Sequence, residues 1–189
     1  DGHRIEAMIE DESGHLWIAT ITAGLFVIDP ALRTIRQYLP RAEDPESLSQ
    51  SRVRSLALDR TGTLWVGTEN GGLDALDRQS GRFRHFRPDP FIAGSLGSSS
   101  VYALLADRQD ILWVGTYDNG LNYHSLSEHR FGLVTTSPAG LRDPRVTSFL
   151  EDHAGTIWIG TDGGGLCRSP AGSNAIYCPG GSGDKLAGI

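Results

Sequence analysis

The residues whose types could do chemistry are four aspartates, Asp11, Asp59, Asp107 and Asp152, four tryptophans, Trp17, Trp65, Trp113 and Trp158, and six histidines. Grouped carboxylates can serve proton transfer or hold a cation, exposed indoles can stack on sugar rings, and imidazoles ligate zinc. Spacing argues against all three readings. Each aspartate stands six residues before a tryptophan, so the pair recurs as a unit, and the aspartates read as turn formers. Set between aliphatic neighbours, the tryptophans read as packing residues. His3, His15, His85, His124, His129 and His153 show neither an i,i+4 pair nor a zinc-ligand spacing. Asp11-Glu-Ser-Gly14 lacks the alternating oxygen ligands of a calcium loop, and Gly180-Gly-Ser-Gly-Asp-Lys185 lacks the ending of a phosphate-binding loop. With no Gly-x-Ser-x-Gly elbow either, the expectation is no catalytic residue, no metal, no cofactor and no enzyme.

The elements that position these residues are copies of one another. The tryptophans are 48, 48 and 45 residues apart, and a period in this range marks solenoids, propellers or arrays. Ile5, Val53, Val101 and Val146 stand twelve residues before them and open segments dense enough in aliphatic residues to predict a strand buried on both faces. Asp11 to Gly14, Asp59 to Gly62, Asp107 to Asp110 and Asp152 to Gly155 follow as tight turns, Asp110 taking the place of glycine. A short second strand holds the tryptophan and then a small residue (Ala19, Gly67, Gly115 or Gly160) that lets a neighbouring sheet approach. Gly-Leu pairs at Gly24, Gly72, Gly120 and Gly165 lead into a third strand, and Ile35, Phe83, Phe131 and Ile176 mark a fourth. No helical periodicity runs for three turns. Four four-stranded antiparallel sheets that cannot cover their own faces predict an all-β fold, a β-propeller, with copies at approximately 1–48, 49–96, 97–141 and 142–189.

The second copy, Val53-Arg-Ser-Leu-Ala-Leu-Asp-Arg-Thr-Gly-Thr-Leu-Trp-Val-Gly-Thr-Glu-Asn-Gly-Gly-Leu73, resembles the two-component regulator propeller repeat, V-x-S-L-x-x-D-x-x-G-x-L-W-V-G-T-x-x-G-G-L. The copy from Val146 to Leu166 is almost as close; the first departs at Ala19 and Ala23, the third at Asp110 and Asn119. The resemblance implies the extracytoplasmic, periplasmic sensor region of a bacterial hybrid histidine kinase or related diguanylate cyclase. It also implies a propeller that is typically seven-bladed, and a response to oligosaccharides or other nutrients.

Propellers carry about 4–8 blades, so four copies predict a segment of a larger ring, with a closed four-bladed ring or two paired half-rings as alternatives. Open ends would expose apolar sheet faces, to be covered by neighbouring blades, domains or a second copy. In the 189 residues no transmembrane run, leader or output domain is visible, and Pro179 to Gly183 reads as connector. A net charge of −6 without a basic stripe argues against nucleic acid and anionic membrane surfaces. Of the 17 basic residues only Lys185 is lysine, which reads as coding bias. Cys167 and Cys178 face each other if their hairpin centres on Gly172 and Ser173; a periplasmic disulfide and two buried thiols are both open.

Binding is expected where the copies differ, at the turns and blade connections around the channel mouth. These hold Glu69 and Asn70, then Tyr117, Asp118 and Asn119, and Asp162, beside Ile21 and Thr22 of the first copy. Tyr117 with Asp118 and Asn119 suits a sugar's apolar and hydroxyl faces, while Arg4, Arg52 and Arg145 could hold a carboxylate or sulfate. The connectors Arg41 to Gln50 and Asp89 to Ser99 either shape the mouth or are slack. A ligand-sensing module is thus expected. The alternatives are a scaffold that binds only protein and, further off, a propeller lyase, which would need a His–acid pair on the channel face.

Overall fold

The computed structural model describes residues 3–125, 130–137 and 140–178, and these form fifteen strands with no helix among them. Each copy is an antiparallel meander paired in chain order. The first sheet holds β1 (Ile5–Glu10), β2 (Leu16–Thr20), β3 (Leu25–Asp29) and β4 (Thr34–Tyr38). The second holds β5 (Val53–Leu58), β6 (Leu64–Thr68), β7 (Gly72–Asp77) and β8 (Arg82–Phe86). The third holds β9 (Val101–Ala106), β10 (Ile111–Thr116), β11 (Leu121–Ser125) and β12 (Phe131–Val134). The fourth shows β13 (Val146–Glu151), β14 (Ile157–Thr161) and β15 (Leu166–Ser169). Among the described residues this sheet has three strands, against the four expected, and an isolated bridge beside them, in which the Tyr177 amide and carbonyl exchange 2.8 Å hydrogen bonds with Arg168. The first strands β1, β5, β9 and β13 neighbour one another in that order, which is propeller geometry. His129 and the segment 180–185 lie outside the described residues.

Each aspartate organises its turn and anchors its tryptophan. Asp59 Oδ1 accepts the amides of Thr61 and Thr63 at 2.9 and 3.0 Å, while Oδ2 accepts Trp65 Nε1 at 2.8 Å. Asp11, Asp107 and Asp152 repeat this with Trp17, Trp113 and Trp158 at 3.0, 2.8 and 2.9 Å. One carboxylate thereby closes a hairpin and satisfies the indole N–H of a ring placed between blades. Burial opposes ionisation of Asp11, but the Trp17 indole, the amides of His15 and Ser13 and the Arg78 guanidinium outweigh it, and its pKa falls from 3.8 to about 2. The turn's last position adopts positive φ, +85° at Gly62 and +61° at Asp110, so aspartate does stand in for glycine in the third copy.

Stacking of sheet on sheet makes the core. Trp17 packs with Val53, Leu64 and Val66 of the second sheet, Trp65 with Val101, Leu112 and Val114 of the third, and Trp113 with Val146 and Ile159 of the fourth. A Cβ on Gly67 would lie 2.2 Å from Ser55 Oγ of its own sheet and 2.7 Å from Val101 Cγ1 of the next, and one on Gly115 2.6 Å from Val146 Cγ1, so in these two copies the next blade helps dictate the glycine. The connectors are not slack. Leu48, Leu96 and Leu141, each seventeen residues before a tryptophan, drop into these three cores and are essentially inaccessible. Ser51, Ser99 and Pro144 each accept the amide of the preceding blade's turn glycine, Gly24, Gly72 and Gly120.

Burial tracks neighbours, not residue type. Val53, Val101 and Val146 are fully buried against the preceding blade, whereas Ile5, at the same position, is 51% exposed. Phe83, Phe131 and Ile176 are buried and Ile35 is exposed. At the other end Leu150 is exposed and Trp158 half-buried, while the other three tryptophans are buried. One face of the first sheet and one face of the fourth are therefore bare.

A single cross-strand position pair on the third and fourth strands is filled differently in each copy. In the second sheet buried Asp74 faces His85, whose Nδ1 is 2.7 Å from Oδ1 and whose Nε2 is 2.8 Å from the Pro45 carbonyl. The Pro45 carbonyl can only accept, so Nε2 carries a proton and the ring ties the connector to the sheet. The hydrogen bond to Asp74 raises the His85 pKa above 6.5, against burial and the charge of Arg87. In the fourth sheet the same pair is Cys167 and Cys178, and the structure resolves the open alternative as a disulfide.

Replacing Asp107 by alanine strands an indole and two amides in a buried site. It should lower the free energy of unfolding in urea by about 3 kcal/mol, and Asp152→Ala, beside the half-buried Trp158, by clearly less.

Candidate functional site at the channel mouth

The turn after each second strand and the entry to each first strand lie side by side. The amides of Ile21, Glu69, Tyr117 and Asp162 donate to the carbonyls of Arg4, Arg52, Ser100 and Arg145 at 2.9–3.1 Å. Between these two columns runs a third. The ladder pairs Val53 with Thr68 and then Ser55 with Gly67, leaving Arg54 as the extra residue of a β-bulge; Glu6, Tyr102 and Thr147 are its counterparts. A bulge re-aims a side chain out of the pleat, and here it puts one side chain per blade at the mouth. The first strands pack on both faces, as their composition suggests: Leu56 and Leu58 of β5 lie against the core shared with the first sheet, and Ala57 belongs to the core shared with the third.

The bulge column and the turn column form one cluster. Arg54 donates from Nε and Nη2 to Glu69 Oε2 at 2.9 and 2.5 Å, and from Nη1 to Glu6 Oε2 at 3.3 Å. Arg52 Nη1 reaches Glu69 Oε1 at 2.9 Å, and Arg4 Nε lies 2.8 Å from Glu6 Oε1. The Arg54 guanidinium also sits 4.8 Å over the Tyr102 ring, whose centroid is 5.0 Å from that of Tyr117 at 35°. Farther round, Arg145 bridges Asp162 at 2.6 Å and Asp143 at 3.1 Å. Burial would raise the Glu69 pKa, but hydrogen bonds and charge from Arg54, then Arg52, bring it below 4.5. Burial raises the Tyr102 phenol above 10, with Arg54 opposing.

Of the residues singled out from sequence, Glu69, Arg52 and Tyr117 meet in this cluster, and Arg145 and Asp162 pair beside it. Asn70, Asp118 and Asn119 are engaged by the scaffold. Asn70 holds φ at +67° and bonds Ser100, Asp118 accepts Ser98 Oγ at 2.5 Å, and Asn119 Nδ2 donates to the Gly97 carbonyl at 2.5 Å. Sequence reasoning missed Glu6, Arg54 and Tyr102. The available signal was position eleven before each tryptophan, where the residue type changes in every copy while the positions one before and two after it stay apolar.

Other concavities lie away from the mouth. A groove of about 490 Å³ beside Tyr123 and Phe131 and another of about 610 Å³ between the turns at Glu12, Arg60 and Arg78 are formed where blades meet. Neither gathers differing residues from more than two blades, which the mouth does. Among the described residues no three His, Cys, Asp or Glu side chains come together as a metal site, and no helix is long and apolar enough to cross a membrane.

Residues 47–70, 95–118 and 140–163 match the model of the two component regulator propeller family. Each begins just before the buried connector leucine and ends in the mouth turn. No curated protein matches the chain in sequence. Among solved structures, the chain resembles the extracellular domain of a protein described as a hybrid two component system of B. thetaiotaomicron: TM-score 0.81, 22% identity, over 95% of this chain and 25% of that one. A second B. thetaiotaomicron extracellular domain gives 0.71, with 20% identity over 94% of this chain and 24% of that one. Virginiamycin B lyase from Staphylococcus aureus gives 0.66, with 17% identity over 92% and 54%. These likenesses establish the propeller fold, and the chain spans about a quarter of the length of the first two.

Arg54 holds two carboxylates that would otherwise repel. Arg54→Ala should cost about 2 kcal/mol in urea unfolding at pH 7. Because the folded-state pKa of Glu69 is depressed, its contribution is present above 4.5 and lost as pH falls through the folded value, so the difference between Arg54→Ala and the parent should shrink on acidification.

Proposed function

We propose that this chain is a blade segment of a sensor propeller in a bacterial two-component or related signalling protein, working outside the cytoplasmic membrane and binding its ligand at the channel mouth. The observation that carries this reading is the contrast between a repeated scaffold and three columns of differing residues that converge on one rim: Arg4, Arg52, Ser100 and Arg145; Glu6, Arg54, Tyr102 and Thr147; Ile21, Glu69, Tyr117 and Asp162. Rigid repeats that bring differing residues together at one rim are built for recognition. The periplasmic location rests on the family's repeats, on the extracellular origin of the two B. thetaiotaomicron domains and on the disulfide.

Further blades of the same kind cover the bare faces of the first and fourth sheets, completing a larger ring that passes ligand occupancy to an output domain. The runner-up, a propeller that only packs against other domains, has the bare faces in its favour but leaves the rim's variety unexplained. No catalytic step is proposed; the likeness to virginiamycin B lyase concerns fold.

Tyr117, 48% exposed beside Tyr102, is the aromatic platform. In a thermal-shift screen of oligosaccharides the chain should be stabilised by a ligand. Calorimetry with that ligand should show at least about a tenfold loss of affinity in Tyr117→Ala; unchanged affinity would remove the mouth from the binding site.

A further inference from the structure

The connector that enters the second sheet runs from the outer edge of that sheet to the mouth. Pro45 and Glu46 lie against β8, where the Glu46 carbonyl accepts the Phe83 amide at 2.8 Å. Leu48 then drops into the core between the first two sheets, the Ser51 carbonyl takes the Gly24 amide at 2.9 Å, and Arg52 reaches Glu69. One buried group fastens this strap. Asp74, fully buried, accepts the Ser49 amide on Oδ2 at 2.8 Å and faces His85 Nδ1 with Oδ1 at 2.7 Å.

His85 Nε2 already gives its hydrogen to the Pro45 carbonyl. The contact between Nδ1 and Oδ1 therefore needs a second proton, held by the ring or shared with the carboxylate. Without it two lone pairs meet in a site that has little water to separate them. The His85 side chain is 20% exposed, so that proton can exchange with solvent. From β7 Asp74 faces the ring, from its own strand Arg87 opposes the proton, and in the connector Asp44 and Glu46 flank Pro45. Glu46 is itself paired with Arg82 at 2.7 Å. The Asp74 bond outweighs burial and Arg87 and raises the His85 pKa above its ordinary 6.5. The tie is thus complete below 6.5 and is lost as pH rises through the raised value.

The next connector is held at the same place without a titrating group. Gly97 stands sixteen residues before its tryptophan, as Ser49 does, and its amide goes to Asn122 Oδ1 at 2.7 Å. The position pair of Asp74 and His85 is there Asn122 and Leu133, neither of which titrates.

We infer that the connector entering the second sheet is a proton-held strap, fastened in acidic and neutral medium and loosened in alkaline medium, while the connector entering the third stays fastened throughout. Because the strap leads to Arg52, its loosening reaches the part of the mouth where Arg52 and Arg54 hold Glu69. The pH of the medium becomes an input to the rim that is separate from any ligand.

The test is amide hydrogen exchange of the chain by NMR from about pH 5.5 to about pH 9, read as protection factors so that the intrinsic pH dependence of exchange cancels. Protection at Ser49 and Phe83 should fall at least about tenfold as pH rises, with a midpoint matching the titration of the His85 ring. Gly97 and Phe131, whose amides go to Asn122 and the Gly94 carbonyl in the third sheet, should not change. Asp74→Asn/His85→Leu copies the third sheet's pair into the second and should make Ser49 protection independent of pH. Equal pH dependence at Ser49 and Gly97 in the parent chain would overturn the strap, whether or not the double variant folds. A fall at Ser49 that persists in the folded double variant would overturn it as well, because the proton concerned would lie elsewhere.

Discussion

A sheet of four short strands with apolar residues on both faces cannot cover itself, and everything else in this chain follows from covering it with the next copy. Identical positions are buried or bare according to whether a neighbour is present: Val53 and Val101 are sealed while Ile5 is half in solvent, and Phe83 is sealed while Ile35 is not. The same constraint selects glycine at Gly67 and Gly115, where the next blade's valine leaves no room for a Cβ. It also makes the indole useful, because a large flat ring spans the gap between twisted sheets and its one polar atom is satisfied by the turn aspartate of its own blade.

Stacking fixes each blade's inner strand, and a bulge in that strand supplies the variable chemistry. The extra residue costs one ladder position, and its side chain leaves the regular pleat. Glu6, Arg54, Tyr102 and Thr147 are therefore free to differ, and three of them join an ionic and aromatic network across the first three blades. The network binds neighbouring blades to one another and presents Tyr117. Scaffold and site are in this sense one structure, since Arg54 serves both.

The period, the turn aspartates and the glycine positions were legible because each reflects a local backbone demand repeated four times. Even the departure at Asp110 was readable, as aspartate tolerates the conformation the turn imposes. The facing of Cys167 and Cys178 followed from hairpin arithmetic. What was not legible depends on partners distant in sequence. A lone leucine among serines and prolines reads as linker until Leu48 is seen to drop between two sheets. A bulge leaves no composition signal and shifts only the alternation. Asn70, Asp118 and Asn119 looked available because sequence does not reveal that connector backbones and serines already occupy them.

Hydroxyl-radical footprinting of the unmodified chain, read by mass spectrometry at its four tryptophans, tests the stacked arrangement most directly. Trp65 and Trp113, at 2% and 1% exposure between two blades, and Trp17 at 4% should oxidise slowly, and Trp158, on the uncovered side of the fourth sheet, markedly faster. Four equal rates, or a fast rate at Trp65 or Trp113, would contradict the account.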